Sequence, residues 1–288
     1  MKVGLKAIVI AVALGGGALL SPAGAGAAAT AGHARVPDTG PAGYTVVTSG
    51  LVTAPSGQVT FGGVSCPGSE VPTSGGAVTT NLSPAISINS SYPDGYEWQV
   101  WLANTSGSST SFDVYEVCID EPAGYEIVNA RTKTQAPMTM ATSSVSCPNT
   151  GTVAVGGGLE QNSLSTAVSI NSIFFLQHGK VWEGTLANGS TKKLKMGVVA
   201  ICMLPPAGYV IKKKTVTLPA GYVTGAQVYC PSGTEPLGGG EDAAPATKPY
   251  TDITLDGNSP YGARGWGIYE FNGTASAVPS EVEAACAS

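Results

Sequence analysis

The sequence predicts an all-β protein built from three copies of one antiparallel module. The main observation is a repeat, in which a tryptophan, an asparagine and a cysteine recur at a constant spacing, each set 84 residues after the one before. Insertions accumulate fast in loops, so this unbroken register indicates a module that was copied twice. The sets are Trp98, Asn104 and Cys118; Trp182, Asn188 and Cys202; and Trp266, Asn272 and Cys286.

The composition agrees with this fold class. Charged residues make up 11% of the 288 residues, whereas glycine (39) and proline (20) are abundant. Such a chain favours many short strands and turns over helices rich in Glu, Lys, Leu and Ala. The length allows three small cores, and we place the modules at residues 41–121 (module 1), 122–205 (module 2) and 206–288 (module 3).

The start of the chain is typical of a secretory signal. Lys2 and Lys6 are basic, residues 7–20 form an apolar run, and small residues follow. The run is too short to cross a bilayer, so we expect no membrane span. We therefore predict a signal peptide at residues 1–31, a linker at 32–40, and an extracellular protein. The possible cleavage positions are Ala25, Ala29 and Ala31.

All six cysteines lie inside the repeats, two in each module. Export favours disulfides over metal ligands or nucleophiles. A module that folded before it was duplicated is expected to carry its own bridge, and a bridge closing a loop of about fifty residues stabilises by roughly 4 kcal/mol. The predicted bridges are Cys66–Cys118, Cys147–Cys202 and Cys230–Cys286.

The net charge argues against nucleic acid as a partner. The chain has 14 basic and 19 acidic residues, and removal of Lys2 and Lys6 changes its net charge from −5 to −7. Phosphate backbones repel such a protein. Two basic groups could attract an acidic polymer, although a solvated strand face is the simpler interpretation. They are Lys192, Lys193 and Lys195, and Lys212, Lys213 and Lys214.

Each module opens with Pro-Ala-Gly-Tyr, a turn that leads a tyrosine into a strand. The first cysteine is always followed by proline, which ends its strand. A glycine cluster comes next. Without a following Gly-Lys-Ser/Thr, it indicates bulges or close strand crossings rather than a phosphate site. The clusters are Gly75-Gly76, Gly156–Gly158 and Gly238–Gly240.

The second half of each module is predicted to form strands joined by tight turns. Residues 85–89, 167–171 and 252–256 alternate apolar and polar side chains, as half-buried strands do. The Trp strand, an Asn-centred turn and the strand of the last cysteine follow. We therefore expect five or six short antiparallel strands in each module.

The Trp strand separates a buried face from an outer one. Trp98, Val100 and Leu102 share the predicted core face. Trp101 lies on the other face, where module 3 has Tyr269 and module 2 has a threonine, so two modules place an aromatic ring where alternation predicts exposure. Trp101 and Tyr269 are candidate ligand-stacking rings, or else they pack one module on the next. The equivalent core faces are Trp182, Gly184 and Leu186, and Trp266, Ile268 and Glu270.

No catalytic, cofactor-binding or metal-binding set of residues is visible in the sequence. Gly-x-Ser-x-Gly, His-Glu-x-x-His and Cys-x-x-Cys motifs are absent. His178 precedes a Trp strand and is interpreted as an exposed turn residue rather than a base. Two acidic pairs could in principle serve a glycosidase, but neither recurs in the other modules. These pairs are Asp94 and Glu97, and Glu241 and Asp242.

Asn104, Asn188 and Asn272 each begin an Asn-x-Ser/Thr triplet. In a eukaryotic secreted protein this triplet marks a glycosylation site. Because two of the copies read Asn-Gly, we favour a hairpin turn that needs a positive φ.

The order Cys-Pro, Gly-Gly-Gly, Trp, Asn-x-Ser/Thr, Cys resembles a small module of secreted actinobacterial proteins, a family that is mostly uncharacterised. The resemblance covers residues 41–288 and carries no known catalytic residues. It implies secretion and a compact β module, and leaves function open.

These features favour a non-enzymatic binding or surface-structural protein that recognises a polysaccharide or another extracellular partner, since repeats raise avidity. One alternative is a protease inhibitor that presents Pro67 to Pro72 or Pro231 to Pro236 to a protease cleft, and another is a secreted hydrolase. The sequence leaves the oligomeric state open.

The junctions between modules are very short. Three residues, Ile119 to Glu121, separate Cys118 from the next Pro-Ala-Gly-Tyr, and Met203 to Pro205 do the same after Cys202. Such linkers are too short for independent tumbling. We expect a compact pseudo-threefold body, with shared strands left open.

Overall fold

The computed structural model describes residues 39–243 and 252–288. Within these ranges lie twenty β-strands and one single-turn 3₁₀ helix, Gln177–Gly179. The predicted signal peptide and His33 lie outside the described residues. No helix in the described ranges is long and apolar enough to cross a bilayer.

Each module has six strands in equivalent places, within the expected five or six. In modules 1 and 2 the first of these strands is divided into two short strands. Module 1 contains β1 (Thr45–Thr48), β2 (Val52–Ala54), β3 (Gln58–Ser65), β4 (Val71–Thr79), β5 (Ile86–Asp94), β6 (Glu97–Asn104) and β7 (Thr110–Ile119). Module 2 contains β8 (Glu126–Asn129), β9 (Lys133–Gln135), β10 (Thr139–Ser146), β11 (Val153–Gln161), β12 (Val168–Leu176), β13 (Val181–Asn188) and β14 (Leu194–Met203). Module 3 contains β15 (Val210–Leu218), β16 (Val223–Tyr229), β17 (Glu235–Ala243), β18 (Ile253–Tyr261), β19 (Gly265–Asn272) and β20 (Val278–Ala287).

The modules share their sheets. Sheet A runs β1-β7-β4-β18-β19-β16, sheet B runs β3-β6-β5-β11-β14-β8, and sheet C runs β10-β13-β12-β17-β20-β15. Two further strands join these sheets, since β2 pairs with β7 and β9 pairs with β14. Each sheet therefore combines strands of two modules, and the three junctions close a ring. The predicted compact pseudo-threefold body is confirmed, and the open question of strand sharing is answered.

The glycine clusters explain how the sheets cross the module boundaries. The last glycine of each cluster faces the neighbouring module so closely that a Cβ would collide with backbone. Gly76 meets the Asn258 carbonyl, Gly158 meets that of Ser91, and Gly240 meets that of Ile173. The pairing shifts register just before each cluster, between Pro72 and Ser74 in module 1 for example, so the expected bulges are present as well.

The middle glycine makes room for the core tryptophan. A Cβ at Gly75, Gly157 or Gly239 would collide with the ring of Trp98, Trp182 or Trp266 in the same module. All three tryptophans are fully buried, as the strand alternation predicts. The glycine and the tryptophan of a module thus form one packing unit between its two sheets.

The first position of the cluster lies where the three modules meet. A Cβ at Gly156 or Gly238 would come within 2.7 Å of the Ser74 side chain. The Thr73 hydroxyl donates to the Leu237 carbonyl oxygen of module 3 at 2.6 Å. Small residues at this position let the chains approach one another around the pseudo-threefold axis.

The three predicted disulfides are present. Cys66–Cys118 and Cys147–Cys202 join Cα atoms 5.7 Å apart, and Cys230–Cys286 joins Cα atoms 5.5 Å apart. Each bridge lies within one module, so the covalent links and the shared sheets connect different parts of the chain.

The Asn-x-Ser/Thr triplets close turns, but the expected positive φ is wrong. In the first, Asn104 ends β6 and is fully buried; its Nδ2 donates to the Ala54 and Ser108 carbonyls, and its Oδ1 accepts from the Ser106 amide and hydroxyl. Modules 2 and 3 repeat this network. In the described chain, positive φ at non-glycine residues occurs elsewhere, because the side-chain bonds hold the turn without it.

Candidate binding surfaces

Trp101 stands on the outer face of sheet B, as predicted. It is partly exposed, whereas Trp98 on the opposite face of β6 has 0% exposure. Its ring centroid lies 5.1 Å from that of Phe61 on β3, with the planes tilted by 53°. Phe61 is 42% exposed. The two rings form an apolar platform that solvent can reach.

Polar side chains continue this platform along the same face. Gln99 lies two residues before Trp101, on the same outer side of β6, and pairs with Gly63 of β3. The Tyr92 hydroxyl donates to Gln99 Oε1 at 3.0 Å, and Gln99 Nε2 donates to Glu97 at 2.9 Å and to Asp94 at 3.2 Å. The structure therefore gathers the acidic pair Asp94 and Glu97 around one amide.

We call the set Phe61, Trp101, Tyr92, Gln99, Asp94 and Glu97 the module 1 face. Burial raises the pKa of Tyr92, and the negative charge of Glu160 adds to this shift. Gly63 has no side chain, and Glu97 and the Phe61 ring occupy the space that its Cβ would take. The face thus combines aromatic rings and a fixed row of hydrogen-bonding groups.

Tyr269 lies on sheet A, so it does not share a surface with Trp101. The ring rests against two glycines of the flanking strands, since a Cβ at Gly225 or Gly257 would lie 2.8 or 2.9 Å from it. Tyr229 and Tyr261 form a second aromatic pair on this half-sheet, with centroids 6.4 Å apart. Module 3 therefore also carries an aromatic outer face.

Module 2 has no ring at the corresponding position. Thr185 is buried, and its hydroxyl lies 3.0 Å from that of Thr142. The candidate stacking residues thus occupy two separate surfaces, and the third module breaks the pattern.

His178 is an exposed turn residue, as predicted. It lies in the single helical turn between β12 and β13 and has a φ of 56°, next to Gln177 with a φ of 49°. The two positive angles place these side chains on the outside of a tight turn.

The acidic pair Glu241 and Asp242 does not act together, because the two side chains lie on opposite faces of β17. Glu241 is fully buried and Asp242 is partly exposed.

The interior of module 3 is unusually acidic. Glu270 is fully buried at the position that Leu102 and Leu186 occupy in the other modules. It accepts a 2.7 Å hydrogen bond from the Ser280 hydroxyl. Burial raises the pKa of Glu270 to about 8, and the nearby charge of Asp242 adds to the shift. Burial and the neighbouring Glu270 raise the pKa of Glu241 well above its ordinary value.

A buried asparagine donates a hydrogen bond across two of the three module junctions, and Asp256 replaces it at the third. Asn89 Nδ2 donates to the Val168 carbonyl of module 2 at 3.1 Å, and Asn171 Nδ2 donates to the Ile253 carbonyl of module 3 at 3.0 Å. Asp256 takes the third equivalent position and offers a carboxylate instead. Burial raises its pKa well above the ordinary value. Glu241, Asp256 and Glu270 all have 0% exposure.

Module 1 also has a buried acid, Glu116, beside the bridge between Cys66 and Cys118. Burial raises its pKa to about 9. Its carboxylate oxygen and the two sulfurs lie within 4.8 Å of one another. Because the sulfurs are bonded to each other, they are not thiolate ligands, and this cluster is not a metal site.

The remaining predicted groups lie apart from these faces. Lys213 on β15 pairs with Glu281 at 2.7 Å and also with Glu283. In the segments considered as inhibitor loops, Pro67 and Pro231 begin four-residue turns, closed by amide hydrogen bonds of 3.1 and 3.2 Å to their carbonyls. Pro72 and Pro236 are buried in strands. Neither segment presents an extended stretch of backbone.

Sequence reasoning missed most of the module 1 face. The alternation of β6 predicted that Trp101 points outward, but Phe61 and Tyr92 become its neighbours through the register of β3 and β5. Aromatic residues in adjacent outward positions were the available signal. No model of a known protein family matches the chain, and no curated protein matches it.

Proposed function

We propose that the chain is a non-enzymatic extracellular binding protein that recognises polysaccharide through the module 1 face. The observation that carries this proposal is the pairing of Trp101 and Phe61 beside the Tyr92–Gln99 hydrogen bond. Sugar rings present C–H groups that pack on aromatic rings, and hydroxyl groups that bond to fixed polar side chains. The face offers both on one rigid sheet.

The acidic side chains fit a neutral or amino sugar better than an acidic one. Asp94 and Glu97 both accept from Gln99 Nε2, so their remaining oxygens can accept from sugar hydroxyls. An anionic polymer would meet two carboxylates on this face. Chitin and neutral cell-wall glycans are therefore the first ligands to test.

An extracellular location is part of the proposal. Three disulfides persist in oxidising surroundings, and the basic and apolar start of the sequence favours export. The resemblance to actinobacterial secreted modules points the same way. The second aromatic face, around Tyr269, would add avidity when both surfaces reach one insoluble polymer.

The experiment is retention of the purified protein on insoluble chitin and on cell-wall glycan. We expect wild-type protein to be retained and Trp101→Ala to lose about tenfold in affinity, because ring stacking contributes on the order of 1–2 kcal/mol. Tyr222→Ala is the matched control, since Tyr222 is 67% exposed and lies just before β16, which belongs to sheet A. Its retention is expected to equal that of wild type.

Two results would overturn the proposal at different levels. If no glycan retains the wild type, polysaccharide is not the ligand. If a glycan retains wild type and Trp101→Ala equally, the ligand binds elsewhere on the protein. Melting temperatures close to that of wild type verify that both variants are folded.

A further inference from the structure

A cleft of about 670 Å³ lies between modules 2 and 3. Phe175 and Leu176, at the end of β12, form one side, and Tyr209 and Ile211, at the start of module 3, form the other. Small-molecule sites commonly enclose roughly 300–1,000 Å³ and have mainly apolar walls. The size and lining of this cleft match that range.

The rim of the cleft comes from a turn that only module 2 builds in this form. Two residues connect β5 to β6, whereas four connect β12 to β13. The longer turn brings Gln177 and His178 over the cleft. Both adopt left-handed backbone angles that residues other than glycine rarely take, and such conformations cluster at functional sites.

The two sides of the cleft are tied together behind their lining. The Phe175 amide donates to Glu283 at 3.0 Å, and Lys213 Nζ donates to the same carboxylate. The Tyr209 hydroxyl donates to the Ala154 carbonyl of module 2 at 2.8 Å. These bonds link module 2 to module 3, so the cleft is preformed and needs no closure on binding.

One of the two lysines that line the cleft has its charge balanced by nearby carboxylates. Glu281 and Glu283 neutralise Lys213. Lys212 also lines the cleft but forms no ion pair within the described part of the chain. His178 stands on the opposite rim as a further nitrogen donor or acceptor. An anionic group at the mouth would therefore meet Lys212 directly.

We propose that this cleft binds a small amphipathic anion, whose apolar body lies against Leu176, Tyr209 and Ile211 and whose carboxylate or sulfonate contacts Lys212. The site is separate from the module 1 face, which belongs to sheet B, and does not depend on the polysaccharide proposal.

The test uses anilinonaphthalenesulfonate, an aromatic anion that fluoresces when it enters an apolar site. We expect saturable binding of one molecule per folded chain. Lys212→Glu is expected to weaken the affinity about tenfold, the effect of losing one charged contact. Lys214→Glu is the matched control, because it makes the same charge change on the same strand but does not line the cleft. Its affinity should stay within about twofold of wild type.

A second measurement locates the probe. In a histidine-labelled sample, the ring resonance of His178, assigned with a His178→Gln variant, should shift as the probe saturates. The uncharged analogue N-phenylnaphthylamine should bind with the same affinity to wild type and to Lys212→Glu. The proposal fails if binding is not saturable, if Lys212→Glu and Lys214→Glu behave alike, or if the His178 resonance does not move. Equal effects of the two lysine variants would mean that the lysines only protect the exposed edge of sheet C.

Discussion

The Tyr125 hydroxyl of module 2 donates a 2.8 Å hydrogen bond to the Pro72 carbonyl oxygen of module 1. The other two opening turns repeat this contact. Tyr209 donates to Ala154 of module 2 at 2.8 Å, and Tyr44 donates to Pro236 of module 3 at 3.1 Å. Each Pro-Ala-Gly-Tyr turn thus fastens its module to the preceding one, and the third contact closes the cycle. The three modules are expected to fold and unfold together.

The Tyr125→Phe variant tests one of these hydrogen bonds between modules. Removal of the hydroxyl leaves the Pro72 carbonyl without this donor but keeps the packing of the ring, so the free energy of unfolding should fall by about 1–2 kcal/mol. Denaturant unfolding measures the change. Tyr222→Phe is the control, because Tyr222 is largely exposed. Equal losses in the two variants would show that the bond to Pro72 contributes nothing.

The Ser91→Ala variant tests how the core tryptophans are held. Trp98 Nε1 donates to the Ser91 hydroxyl at 2.9 Å. Trp182 has Ile173 at the equivalent position, and its Nε1 has no partner among the residues that the structure describes. Without Ser91, Trp98 would be buried with an unpaired donor, which costs about 1–3 kcal/mol. A thermal melt that does not change would mean that this indole needs no partner, as in module 2.

How far the sequence predicted these features depended on the range of the interaction. The outward position of Trp101 and the burial of Trp98 follow from alternation within one strand. The disulfides followed from duplication of a folded unit. The bond from Tyr125 to Pro72 did not follow, because it crosses a module boundary that exists only after the sheets have formed. Long-range register has no local signal.

The contacts of the buried acids in module 3 could not be predicted from the sequence either. The alternation of β19 placed Glu270 on the core face, and the structure confirms its burial. The sequence did not reveal that Ser280 would bond to it, or that Glu241 would face it from β17. Buried carboxyl groups break the hydrophobic pattern, so pattern reasoning is weakest at such positions.

Stability should fall as the pH rises. The folded-state pKa is about 8 for Glu270 and about 9 for Glu116, above the ordinary value of 4.5. The folded state therefore holds protons that the unfolded state releases. Their contribution is fully present below about pH 4.5 and is lost as the pH rises through 8 and 9, with a slope of about 1.4 kcal/mol per pH unit for each proton.

Thermal melts between about pH 5 and pH 9 measure this dependence. Glu270→Leu, which restores the residue of modules 1 and 2, should flatten the curve and raise the melting temperature at the alkaline end. Glu281→Gln is the control, because it removes a carboxylate that is partly exposed rather than buried in the core. A wild-type protein that is most stable at pH 9 would contradict the account of the acidic core.

The Asp256→Asn variant should stabilise the protein. It removes a buried acid and supplies the amide donor that Asn89 and Asn171 use at the other two junctions. By the repeat, the new amide is expected to reach the Ile86 carbonyl. The gain should be about 1 kcal/mol near neutral pH, measured by denaturant unfolding. Asp256→Ala removes the charge but adds no donor, so it separates the loss of the buried charge from the gain of the hydrogen bond. A loss of stability in Asp256→Asn would show that an amide at this position does not link modules 3 and 1.

Because the modules share their sheets, they should unfold as one cooperative unit. Differential scanning calorimetry of the full chain is the decisive measurement. We expect a single unfolding transition whose calorimetric enthalpy equals its van't Hoff enthalpy. Three separate transitions, or a calorimetric enthalpy about three times the van't Hoff value, would show that the modules unfold independently and would contradict this expectation.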